Sequence, residues 1–158
     1  FRLADTPAKM VKLVAQRIQT LIYPVGFYRN KSKSIIDISR TIIREYKGRV
    51  PDELELLLSL KGVGRKTANL VLSQGFNKPA VCVDTHVQRI SNRLGWVDTV
   101  SPEETEKKLK DIFPKSQWGK LNSILVKFGQ NICRPVSPFC SKCNISGFCP
   151  KRGVGRSR

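Results

Sequence analysis

Residues 60–69 read Leu60-Lys61-Gly62-Val63-Gly64-Arg65-Lys66-Thr67-Ala68-Asn69, a Gly-x-Gly turn set among basic residues and entering a helical run. Glycines there let backbone N–H groups face outward with no Cβ in the way, and the following helix points its positive pole at the same place. Such a turn suits a phosphate, with Lys61, Gly62, Val63, Gly64 and Arg65 as its contacts. It is also the form of a plain turn between two helices whose basic residues are solvated. The spacing of apolar residues on both sides makes it an inter-helix turn rather than a strand connection.

Upstream, Thr6 and Pro7 form a cap and first-turn pair. Val11, Val14, Ile18 and Leu21 then mark one face of a helix to about Ile22. Pro24 and Gly26 break it and leave Val25, Phe27 and Tyr28 in a turn. Ile35, Ile38 and Ile42, flanked by Ile36, Ile43 and Tyr46, give a second helix closed by Gly48, and Leu54, Leu57 and Leu58 a short third. Downstream, Ala68, Val71 and Leu72 belong to a fourth helix stopped by Gly75, and Val87, Ile90 and Leu94 to a fifth stopped by Gly95. Ser101-Pro102-Glu103-Glu104 is a capping box that starts a sixth, running to Phe113. Trp118, Leu121, Leu125, Phe128 and Ile132 line a seventh. Only Ala80–Val83 has the look of a short strand, so an all-α fold is expected. The tail Lys151–Arg158 is expected to fray.

The 158 residues carry 29 Lys+Arg against 12 Asp+Glu, a formal net charge of +17. That excess on so short a chain favours a polyanionic partner, nucleic acid before an anionic membrane surface, with a merely soluble basic protein as the plain alternative. A hydrophobic share of 40% excludes disorder through lack of a core. No apolar run approaches the ~18 residues of a membrane span, and no signal-peptide pattern opens the chain. A setting in cytosol or nucleus is expected, not secretion. The chain begins on Phe1 with a helix under way within a few residues, so a piece of a longer protein is expected.

Two further constellations carry chemistry. Lys66 falls in the first turn of its helix beside Arg65, and a neutral lysine there could attack a carbon to form a Schiff base. As one lysine among so many basic residues it is also read as a phosphate contact or as a residue without a role. Asp84, after Val81-Cys82-Val83, opens the fifth helix. It suits a base or a stabiliser of a cationic sugar, and also a simple cap. Cys133-x6-Cys140-x2-Cys143-x5-Cys149 gathers four of the five cysteines within seventeen residues. In a chain without secretion signals this argues for metal over disulfides. The irregular spacing suits a [4Fe–4S] cluster, with zinc as the alternative. Cys82, between valines, reads as an inert buried thiol.

The hairpin, the following Val83-Asp84-Thr85-His86-Val87-x-Arg89 and the four-cysteine run together resemble the endonuclease III family, within the helix-hairpin-helix superfamily of DNA glycosylases. The resemblance covers essentially the whole chain. It implies a helix-hairpin-helix glycosylase fold with a helical barrel lobe (1–78, hairpin 60–66), an iron–sulfur cluster lobe (79–150) and the basic tail (151–158). A DNA groove would lie between the lobes. It implies a bifunctional glycosylase and abasic-site lyase acting as a monomer on double-stranded DNA that carries a damaged base or abasic site, with oxidised pyrimidines such as thymine glycol as the substrate class.

Within that resemblance, Lys66 would attack C1′ and drive β-elimination, Asp84 would be its carboxylate partner, and His86 would be structural. A lysine at that position also argues against adenine-removing and thymine-mismatch relatives. Phe27 stands where the family places an apolar wedge that fills part of the stack vacated by a flipped nucleotide; it also reads as a core or turn aromatic. Two departures accompany the resemblance. Relatives begin with about two more helices, one carrying a Gln that fills the gap left by the flipped base, so this chain alone is expected to be aggregation-prone and weaker at excision than at β-elimination. Bacterial relatives also have a strongly basic loop between the first two cluster cysteines, where this chain offers only Arg134. Setting would follow source: cytoplasm and nucleoid in a prokaryote, nucleus or mitochondrion in a eukaryote. A non-catalytic helix-hairpin-helix DNA-binding module with a structural metal is the alternative function.

Overall fold

The computed structural model describes residues 2–158, and their regular structure is helical throughout. Packing divides the chain into two compact units, residues 1–68 and 69–158. The division by packing therefore falls ten residues before the functional boundary drawn at 78/79.

In the first unit, the single helix expected from Thr6 to Ile22 is two: α1 (Pro7–Met10) and α2 (Ala15–Ile22). Thr6 does cap α1, accepting from Lys9 N at 3.2 Å. Val14, placed on the inward face by spacing, instead adopts an extended backbone at the N-cap of α2 and is 66% exposed. Each short helix packs separately on α3 (Tyr28–Tyr46), so Ile18 is buried while Leu21 is exposed. The buried face of α3 is also shifted from the expected one, running through Ser32, Ile36, Ser39 and Ile42. The two serines pass as core residues because their hydroxyls donate to carbonyls of the preceding turn, Arg29 O and Ile35 O, each at 2.8 Å. After Pro51, α4 (Leu54–Leu58) buries Leu57, and Leu60 is buried two residues beyond its end.

The second unit opens within α5 (Arg65–Leu70), which loosens into a π-helical turn over Val71–Gly75. Then come α6 (Thr85–Arg93), α7 (Pro102–Ile112) and α8 (Lys115–Asn131). Ala80–Val83 is buried but forms no strand. It serves as an extended core segment, its Val81 carbonyl accepting from Asn69 Nδ2 at 3.1 Å. The core joins Val81, Val83, Val87, Ile90, Val97, Leu109, Leu121 and Leu125. The capping box of α7 forms as read, with Ser101 Oγ accepting from Glu104 N at 3.2 Å and Glu104 Oε2 accepting from Ser101 N at 3.3 Å.

The tail corrects the expectation of fraying. Arg152 N donates to Arg93 O at 3.3 Å, Arg158 N to Pro138 O at 2.8 Å, and Ser141 N to Arg158 O at 2.8 Å. These main-chain bonds hold the last residues against the cysteine-bearing segment and leave the tail no reason to fray.

Candidate active site and cysteine pocket

The hairpin is fixed by what flanks it. Leu57, Leu60 and Ala68 are buried, so the chain enters and leaves the turn anchored. Val63 N donates to Leu60 O at 3.0 Å, which closes the turn. Gly62 has φ +88°, a left-handed conformation, and a Cβ there would lie 3.2 Å from Ser34 Oγ on α3. The backbone thus favours glycine at this position, and a side chain would also crowd the Ser34 hydroxyl. Lys61, Gly62, Gly64 and Lys66 are exposed, Val63 and Arg65 half-buried. Lys66 is the second residue of α5, in its first turn.

In the second unit the buried run Val81-Cys82-Val83 delivers Asp84 to the N-cap of α6. Its Oδ1 accepts from both His86 N and Val87 N at 2.9 Å. The capping role is therefore real, and it uses one oxygen of the carboxylate and leaves the other outside the cap. Arg89, one turn on, donates from NH2 to Cys133 O at 2.9 Å and lies 3.1 Å from His86 Nδ1. Burial pushes the Arg89 guanidinium below its ordinary value, and the like charge of Arg93 acts in the same direction. Cys133 and Asp84 act in the opposite direction. His86 is wedged against α8, where a Cβ on Gly129 would come 2.4 Å from its Nδ1. That close packing supports the structural role read for it.

Cys133, Cys140, Cys143 and Cys149 all line one pocket, walled mainly by Leu94, Phe128, Ile132, Phe139, Ile145 and Val154. Arg93, a residue without a sequence motif to mark it, governs both ends of the segment. It is only 7% exposed. Its guanidinium reaches Cys133 Sγ at 3.5 Å, Arg134 O at 2.6 Å and Pro135 O at 2.8 Å. Its main-chain oxygen accepts from the Cys149 thiol at 3.3 Å. Only its place in the last turn of α6 could have suggested it. Among the described residues no three of His, Cys, Asp and Glu stand together as a group able to hold a metal ion. Cys82 is buried at 1% exposure and lies outside the pocket's lining.

Phe27 is 83% exposed, at the N-cap of α3 with a left-handed φ of 58°. It is not a core aromatic. Arg134 is exposed, its guanidinium carbon 4.8 Å from the centre of the Phe139 ring. Lys66 belongs to the first unit, and Asp84 and the cysteines to the second.

Comparison with known proteins places these features. Residues 1–115 match the HhH-GPD superfamily base excision DNA repair protein family. The chain is similar to endonuclease III of Thermotoga maritima, 50% identical over 161 residues that cover 100% of this chain and 76% of that protein. It is also similar to endonuclease III homolog 2, chloroplastic, of Arabidopsis thaliana, 46% identical over 92% of this chain and 40% of the plant protein. Its structure superposes on that of the protein in a non-covalent endonuclease III–DNA complex with a TM-score of 0.88 at 38% identity, covering 96% of this chain and 71% of that one.

Proposed function

The chain belongs to the endonuclease III family of the HhH-GPD superfamily and is a base excision DNA glycosylase, and we propose that Lys66 and Asp84 carry its chemistry, including strand cleavage at abasic sites. The observation that carries this reading is an exposed lysine in the first turn of α5, directly behind a Gly-x-Gly hairpin whose backbone suits a phosphate. Lys66 Nζ attacks C1′ of a flipped nucleoside, the bond to the base breaks, and the opened sugar is held as a Schiff base. Loss of a C2′ proton then expels the 3′-phosphate. Asp84 supports this with its carboxylate, stabilising the cationic sugar while still capping α6. Oxidised pyrimidines in duplex DNA are the substrate class, the protein acts as a monomer, and Phe27 enters the stack where the nucleotide leaves.

We assign the four-cysteine pocket to a [4Fe–4S] cluster. Four cysteines that line one largely apolar pocket suit a cube of iron, which takes a thiolate at each of its four corners. When bound, such a cluster cross-links the segment through four thiolates and leaves no open position for substrate. Residues 1–78 then serve as the hairpin lobe and 79–150 as the cluster lobe. No helix of the described residues is long and apolar enough to cross a membrane. The protein works wherever the genome lies, in nucleoid, nucleus or mitochondrion.

Borohydride trapping tests the central assignment. Incubation with abasic duplex and borohydride should give a covalent protein–DNA adduct through the reduced Schiff base. Binding without an adduct would overturn Lys66 as a Schiff-base nucleophile and, with it, the proposed strand cleavage.

A further inference from the structure

The buried run Ala80–Val83 joins no sheet ladder, so its carbonyls take partners from side chains. Two amides supply them. Asn122 Nδ2 on α8 donates to Cys82 O at 3.1 Å, and Asn69 Nδ2 on α5 donates to Val81 O at 3.1 Å. Asn69 Nδ2 also donates to Glu106 Oε2 on α7, at 2.9 Å. The other oxygen of Glu106 pairs with Lys110, one turn further along the same helix. Asn69 and Glu106 are only 2% and 3% exposed. With both hydrogens of its nitrogen on acceptors, the Asn69 amide has a single orientation. Turned over, its oxygen would face the Val81 carbonyl and the Glu106 carboxylate. A buried charge adds little net stability even when paired. This one aims an amide at the segment that ends in Asp84.

We propose that Glu106 is a positioning residue for base excision: through Asn69 it fixes the Val81 carbonyl, and with it the placement in which Val81-Cys82-Val83 delivers Asp84. The lever is short. Asp84 follows Val81 by three residues, and its Oδ1 must meet the first amides of α6 while the carboxylate serves the sugar. A displacement of about 1 Å in a positioned group is enough to cost about a hundredfold in rate. Asn69, Val81, Asp84 and Glu106 all belong to the second unit. The inference rests on the reading of Asp84 as the carboxylate of the chemistry and adds to it the group that aims it.

The test is a double-mutant cycle on single-turnover excision by the full chain, with duplex affinity and thermal melting measured alongside. Glu106→Gln keeps the volume and removes an acceptor. Whichever way the new amide turns, its NH2 group faces Lys110 or Asn69, a donor against a donor. Excision should slow about ten- to hundredfold, with affinity for damaged duplex kept within about twofold. In an Asp84→Asn background, already slow, Glu106→Gln should cost less than about twofold more, because changes that act through one group do not multiply. Asn69→Ser, too short to span Val81 and Glu106, should behave the same way. It decides the matter where Glu106→Gln melts below the assay temperature. Losses that multiply, or that fall on affinity as much as on rate, mark a merely structural role and overturn the proposal. Full excision by Glu106→Gln and Asn69→Ser beside a slow Asp84→Asn overturns the positioning role alone. Full excision by Asp84→Asn overturns the reading of Asp84, and the positioning role with it.

Discussion

Lys66 and Asp84 are both residues with an ordinary structural job available to them, and the conservative variant separates the job from the chemistry. Replacing Lys66 by Gln removes the amine and one of many positive charges. Borohydride trapping and strand cleavage should vanish while duplex binding weakens only slightly, and an adduct formed by the variant would mean that another amine is the nucleophile. Asp84→Asn keeps an oxygen able to accept from His86 N and Val87 N, so the cap survives. Base excision should nevertheless slow on the order of 10²–10⁴-fold, the loss expected for a positioned carboxylate. Asp84→Ala should lose about 0.5–2 kcal/mol of stability as well, through the missing cap. Single-turnover excision and thermal melting of the two variants distinguish the roles; equal activity in Asp84→Asn would return the residue to capping alone.

Among the elements, the contact of α6 with α8 has the least tolerance. Gly129 on α8 lets the helices approach until a Cβ would meet His86 Nδ1 at 2.4 Å, Arg89 NH2 at 2.9 Å and Ile90 Cδ1 at 2.9 Å. α6 is capped by Asp84 and ends with Arg93, so any widening here moves both the carboxylate and the anchor of the cysteine segment. Gly129→Ala should cost roughly 1–3 kcal/mol by overpacking. A lower melting temperature and slower excision are expected together; an unaltered melt would show that the two helices can part without loss.

For the whole molecule the prediction concerns the metal. Protein purified anaerobically should be yellow-brown, with about four irons and four sulfides per chain. Its removal should destabilise the second unit, because Arg93, Cys133 and Cys149 are tied in one set of contacts. Colourless protein containing stoichiometric zinc would refute the cluster. The net charge of +17 also makes affinity for DNA fall steeply with salt, through release of counterions from the phosphates.

Much of this was legible in the sequence because it is local. Helical period, the Ser101–Glu104 box, the glycine turn, the cap at Asp84 and the cysteine spacing each depend on residues a few positions apart. The misplaced features are those settled by distant neighbours. Val11 and Val14 keep helical spacing, yet α1 and α2 pack separately on α3 and the chain opens between them. The inner face of α3 runs through Ser32 and Ser39 because hydroxyls paired to their own helix cost little to bury, a pairing that an apolar pattern hides. Arg93 and Arg158 look like two of 29 basic residues until folding sets one among the thiols and the other on Phe139. The sequence by itself determined the helices and the residue types able to do chemistry. The tertiary structure alone decided which helix faces are buried and which charges stand together, because packing and charge repulsion act between residues far apart in the chain.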